Sequence, residues 1–137
     1  MAGIEGNLKY DFIELYNPTP DTIDLTGWYI KKKNAGGNID PLVVSNRLQG
    51  KMIYPSKYFL IANEINYTGI VTPDATWASS YNIAYDNNGI IIYNNNDEII
   101  DQIIWVNIPK NQSFERQSWS SDQFAIQPNP NPQNSNS

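Results

Sequence analysis

Ile90-Ile91-Ile92-Tyr93-Asn94-Asn95-Asn96-Asp97-Glu98-Ile99-Ile100-Asp101-Gln102 is the stretch whose reading decides the fold. Two runs rich in β-branched side chains flank four consecutive Asn/Asp residues, which tolerate the positive φ that a tight connection demands. The pattern predicts a β-hairpin. One arm is opened by Asp86-Asn87-Asn88-Gly89, and the other runs from Glu98 to Val106.

Strand signals continue outward on both sides. Asp11 to Tyr16 alternates, with Ile13 and Leu15 on one face and Phe12, Glu14 and Tyr16 on the other, and it stops at Asn17-Pro18-Thr19-Pro20. Ile23 to Lys33 reads as one further strand with a bulge or close backbone approach at Gly27 and with Trp28, between apolar neighbours, as a core residue. Asp40 to Gly50 has no clean period. Gly50 to Tyr54 is a short strand, and Tyr58-Phe59-Leu60-Ile61-Ala62 is the continuous apolar run of a strand covered on both faces. Asn63 to Tyr85 is a long connection, and Ser113 to Gln117 and Gln123 to Ile126 are short late strands. No segment holds a helical period. Short strands with turn signals about every ten residues predict an all-β, immunoglobulin-like β-sandwich over residues 1–126. From Gln127 on, Pro, Asn, Gln and Ser predominate, so residues 127–137 read as a disordered tail or linker.

The residue inventory narrows the chemistry. The 137 residues include no His and no Cys, which removes His- and Cys-based nucleophilic catalysis, thiolate metal sites and disulfides. A formal net charge of -5 lacks the basic footprint of a nucleic-acid binder. No apolar stretch approaches the roughly 20 residues of a membrane-spanning helix, and Met1 to Glu5 carries neither half of a signal peptide.

Phe12-Ile13-Glu14-Leu15-Tyr16-Asn17-Pro18, followed by Asp24-Leu25-Thr26-Gly27-Trp28-Tyr29-Ile30, resembles the opening of the lamin tail domain. The resemblance runs on through Ile53 to Asn63, Asn88 to Asn94 and Glu98 to Gln102, and closes at Gln112-Ser113-Phe114-Glu115-Arg116. Three features depart from the family pattern: the strand preceding Phe12 is reduced to Gly3 through Leu8, Asn111-Gln112 stands where a Gly precedes Ser113, and the terminal Pro-Gly-x-x-Asn appears only as Pro128-Asn129-Pro130-Asn131-Pro132. The resemblance implies an immunoglobulin-like module that scaffolds or binds and has no catalytic residues to carry over. It also implies membership of a larger bacterial protein, at the cell surface or secreted.

Several residues are candidates for particular roles. Glu14 and Arg116, both in strands, are expected to form a structural ion pair, because a buried charge needs a partner. Asp97, Glu98 and Asp101 could ligate calcium, although turn chemistry explains the same Asn/Asp residues. Lys31-Lys32-Lys33 alternates in direction and is read as blunting a strand edge. Trp77, Tyr81, Tyr85 and Trp119 lie in irregular segments, where aromatics either cap the core or offer a platform to a partner. The leading expectation is a binding module for a protein or glycan, with no cofactor and no enzyme activity. The alternatives are an intracellular scaffold for nucleic acid or protein, and a carboxylate-dependent hydrolase requiring two facing acids.

Overall fold

The computed structural model describes residues 2–4, 12–67, 69–84, 86–109, 112–118, 123–128 and 131–137. Strands run Ala2–Ile4 (β1), Phe12–Tyr16 (β2), Ile23–Asp24 (β3), Tyr29–Lys33 (β4), Ile39–Val43 (β5) and Met52–Ile53 (β6). They continue Tyr58–Asn63 (β7), Ala75–Trp77 (β8), Asp86–Tyr93 (β9), Ile99–Asn107 (β10), Gln112–Arg116 (β11) and Phe124–Gln127 (β12). A single 3-10 turn, Ser45–Arg47, is the only helical element among the described residues. One sheet has the order β12-β11-β1-β2-β7-β8, a second β10-β9-β4-β5, and β3 pairs with β6 in a small third.

The core lies between the two large sheets. Ile13, Phe59, Ile61 and Trp77 of the six-stranded sheet share one buried cluster with Ile30, Ile90, Ile92, Ile103 and Trp105 of the four-stranded sheet. Two sheets burying their inner faces against each other make an all-β, immunoglobulin-like sandwich. The hairpin forms as the sequence predicts: β9 and β10 pair antiparallel around Asn94–Glu98, where Asp97 adopts φ 62.

Other elements differ from expectation for identifiable reasons. Ile23 to Lys33 is not one strand. Gly27 has φ +85, and a Cβ there would lie 2.7 Å from Cβ of Asn95, so only Gly fits this turn. The turn sends β3 to pair with β6 and β4 into the four-stranded sheet. There β4 lies between β9 and β5, so the lysines guard no edge. Lys31 instead sits 5.8 and 5.9 Å from the stacked rings of Tyr29 and Tyr93, and Lys32 Nζ donates to the Asn82 carbonyl at 2.8 Å. The Asn63–Tyr85 connection contains β8, parallel to β7. Three residues are too few to show a period.

The tail also departs from expectation. Residues 132–137 do not leave the domain but lie on the outer face of the six-stranded sheet, with Asn134 only 9% exposed. Composition conceals this because the strap is held by hydrogen bonds, not by apolar burial.

Trp77 is fully enclosed, and its Nε1–H donates to the Tyr81 carbonyl at 2.8 Å. Trp105 is equally enclosed and donates to the Ala84 carbonyl at 3.0 Å. Trp28, expected in the core, only packs partly buried against it. Trp77→Ala and Trp105→Ala are therefore expected to lose about 3–5 kcal/mol each. Trp28→Ala should lose less, by at least about 1 kcal/mol. Denaturation midpoints of the three variants check the order, and a Trp28 variant weaker than both others would contradict it.

Candidate binding surfaces

Two surfaces have the geometry to engage another molecule. The first is the free side of the four-stranded sheet. β10 pairs with β9 and, among the described residues, with no other strand. Inward-facing Ile103 and Trp105 fill the core, while Ile104 and Val106 alternate outward at 58% and 76% exposure. Ile99 and Ile100 are about half exposed beside a register irregularity. Lys33, Gly89 and Ile104 lie side by side across β4, β9 and β10. Gly89 has no side chain because a Cβ there would meet the Ile103 carbonyl oxygen at 2.8 Å. The row is thus hollow in the middle, and a groove of about 440 Å³ opens between Lys33 with the Asn34–Gly37 turn on one side and Ile104 and Val106 on the other.

The second surface is the outer face of the six-stranded sheet over β2 and β7. Phe12, Leu60 and Ala62 form a separate buried cluster there, with Tyr67 and Val71 packed against it. Alternation along β2 places Glu14 on this same face, opposite Leu60, at 3% exposure. Burial disfavours its charged form and pushes the Glu14 carboxyl up to about 7, against the hydrogen bond that its Oε2 accepts from the Gln133 N–H at 2.8 Å; nearby Glu115 adds to the rise. Asp74, at the entry to β8, accepts the Leu60 N–H at 2.8 Å, the Ser135 N–H at 3.0 Å and the Ser135 hydroxyl at 2.6 Å.

The expected Glu14–Arg116 pair does not form. Arg116 bonds Asp101 Oδ2 at 2.5 Å and lies over the Phe124 ring at 4.7 Å. The reason is strand parity. β1 stands between β2 and β11, and its register aligns Ile13 with Phe114, so Glu115 shares the face of Glu14 while Arg116 points between the sheets. A second ion pair that the sequence did not suggest, Arg47–Glu64 at 3.1 Å, ties the 3-10 turn to the segment after β7.

Asp97, Glu98 and Asp101 are not brought together as ligands. Asp97 accepts the Tyr29 hydroxyl at 2.7 Å, Glu98 accepts the Asn94 amide at 3.0 Å, and Asp101 turns inward to Arg116. Among the described residues no group of three acids is placed to hold a metal ion. Of the four aromatics, Trp77 is sealed in the core and Tyr81 packs partly buried against it, so neither forms a platform. Tyr85 and Trp119 lie outside the described residues. Sequence reasoning missed Lys33, Asp74, Asn134 and Ser135 as site residues. Ile104 and Val106 carried a legible signal, because apolar residues occupy both faces of β10 where one face would suffice for a core.

These arrangements give two measurable outcomes. Unfolded Glu14 titrates near its ordinary value of 4.5 and folded Glu14 near 7, so between those values the folded state holds the proton more tightly. The Glu14 contribution to stability should be fully present below about 4.5, fall by roughly 3 kcal/mol as pH rises to about 7, and then level off. Glu14→Gln should flatten this dependence, as urea midpoints across the range will show. In double-mutant cycles, Arg116→Ala and Asp101→Ala should couple by about 0.5–1 kcal/mol. Arg116→Ala and Glu14→Gln should add within roughly 0.5 kcal/mol. Strong coupling of the second pair would contradict the parity argument.

No curated protein matches the sequence significantly. The family model of the Lamin Tail Domain matches residues 1–107. That span runs through β10 and takes in the four-stranded sheet, β1, β2, β7 and β8 of the six-stranded one, the hairpin and Glu14, while β11, β12 and the strap follow it. With the sandwich on the page, the match over most of the chain is decisive: the chain belongs to the lamin tail domain family, whose members are non-catalytic immunoglobulin-like domains.

Proposed function

We propose that this domain is a docking module that takes up an extended segment of a partner protein along β10. The observation that carries it is the nine-residue edge strand itself, unpaired on one side among the described residues and bearing outward Ile104 and Val106. Natural edges are blunted with lysine, proline or extreme shortness. β10 carries a register irregularity between Ile99 and Asp101 and one inward charge, Asp101, at its start, while Gln102 to Asn107 has neither lysine nor proline. A strand added there would gain main-chain hydrogen bonds, with side chains settling on Ile104 and Val106. Among the described residues Lys33 is the one charged side chain lining the adjoining groove, and its positive field on that face favours an acidic partner segment over a basic one.

A protein ligand is favoured over a glycan because the main-chain pairing offered by β10 takes a polypeptide. It is favoured over nucleic acid by the net charge of -5. A place outside the cell, as one module of a larger protein, belongs to the same proposal and rests on the family resemblance.

The test is a titration of the isotope-labelled domain with two synthetic peptides of alternating Val and Thr, one with a central Glu and the other with a central Lys. The Glu peptide should bind at least tenfold tighter and shift the β10 amides. Ile104→Lys with Val106→Lys should abolish this without unfolding the domain, since both positions are exposed. Shifts confined to other surfaces, or equal binding of the two peptides, would overturn the proposal. So would sedimentation showing that β10 pairs with a second copy of itself.

A further inference from the structure

We infer that the outer face of the six-stranded sheet carries a second, independent site, which reads an Asn-Ser polypeptide segment at a turn and is filled in cis by residues 133–135. Its parts stand in place without the segment. Asp74 is fixed to β7 in both directions, its N–H donating to the Leu60 carbonyl at 2.7 Å and its carboxylate accepting the Leu60 N–H at 2.8 Å. Glu14 is fixed by β2, and the Thr72 carbonyl lies on the approach to Asp74. Acceptors held in place before a ligand arrives give selectivity at a small ordering cost.

The strap meets these acceptors as it enters a turn, closed by the Ser137 N–H donating to the Asn134 carbonyl at 3.0 Å. The N–H groups of Gln133 and Ser135 donate to Glu14 and Asp74 at 2.8 and 3.0 Å. Between them, the nine-tenths-buried Asn134 donates Nδ2–H to the Thr72 carbonyl at 2.8 Å. Its Oδ1 accepts the Asn136 N–H at 3.0 Å, which turns the chain away. The Ser135 hydroxyl donates to Asp74 Oδ1 at 2.6 Å. Each side chain is thus matched by chemistry. A Gln in place of Asn134 would be too long for this double role, and an Ala in place of Ser135 would leave half of the Asp74 carboxylate unengaged.

The strap is also built to come away. Gln133, Asn134 and Ser135 bury no apolar side chain, so exchange of their hydrogen bonds for water opposes release only weakly. A tether on the order of millimolar effective concentration keeps them seated. A segment of the same chemistry offered in trans competes on equal terms once the strap is weakened.

Hydrogen exchange on the wild-type chain is the first test. The amides of Gln133 and Ser135 should exchange by local opening at least a hundredfold faster than that of Ile61. Equal protection would make the strap part of the cooperative fold and overturn the inference. In the second test, the full chain carrying Asn134→Ala and Ser135→Ala is titrated with the peptide Asn-Pro-Gln-Asn-Ser-Asn-Ser. It should bind at least tenfold tighter than it binds the wild-type chain, with the Leu60 amide shifting. Replacing the central Asn or the Ser that follows it in the peptide by Ala should remove binding. Absent binding, or equal binding of the altered peptides, would refute a reading site.

Discussion

The ladder joining β2 to β7, from Phe12 against Ala62 to Tyr16 against Tyr58, governs both faces of the six-stranded sheet. Ile13 and Ile61 enter the core between the sheets, while Phe12, Leu60 and Ala62 form a second apolar layer outside. Because side chains alternate, a register slip of one residue would carry Glu14 into the main core and take Ile13 out of it. In the observed register the carboxylate falls in the outer layer. There it remains costly to ionise, and it finds a donor in the backbone of the strap. The strap and Asp74 complete a cover that a bare sheet face would not need.

The two sheets are consequently unlike. The outer face of β2 and β7 is closed by the cluster around Tyr67 and Val71 and by residues 133–137. The four-stranded sheet ends in β10, whose outward residues meet nothing comparable. A domain that covers one face thoroughly and leaves a long apolar edge exposed carries an aggregation liability unless that edge has an occupant. This asymmetry is the structural basis of the proposed docking role.

The fold was legible where local pattern and tertiary structure agree. Four Asn/Asp residues between two isoleucine-rich runs fixed the β9–β10 hairpin, and the unbroken apolar run of β7 announced burial on both faces. Reading failed where the determining contact is distant. Gly27 reads as a bulge or a close backbone approach, and only Asn95 packed against it decides for the approach, at a turn between two sheets. Glu14 and Arg116 look like partners until β1 is found between their strands, setting the parity that turns one outward and the other inward. The strap was invisible because its recognition depends on Glu14, Thr72 and Asp74, more than fifty residues away. Of the candidate site, only the apolar excess of β10 could be read directly.

Whether β2 is truly enclosed on its outer face can be measured at a single atom. A carbon-detected NMR titration of the Glu14 side-chain carboxyl in the intact domain reports its protonation without disturbing the fold. Enclosure beneath the strap predicts a midpoint near 7, raised by burial from the ordinary 4.5. A midpoint at the ordinary value would mean that water reaches the carboxylate freely, and that the outer face of the β2–β7 ladder is open.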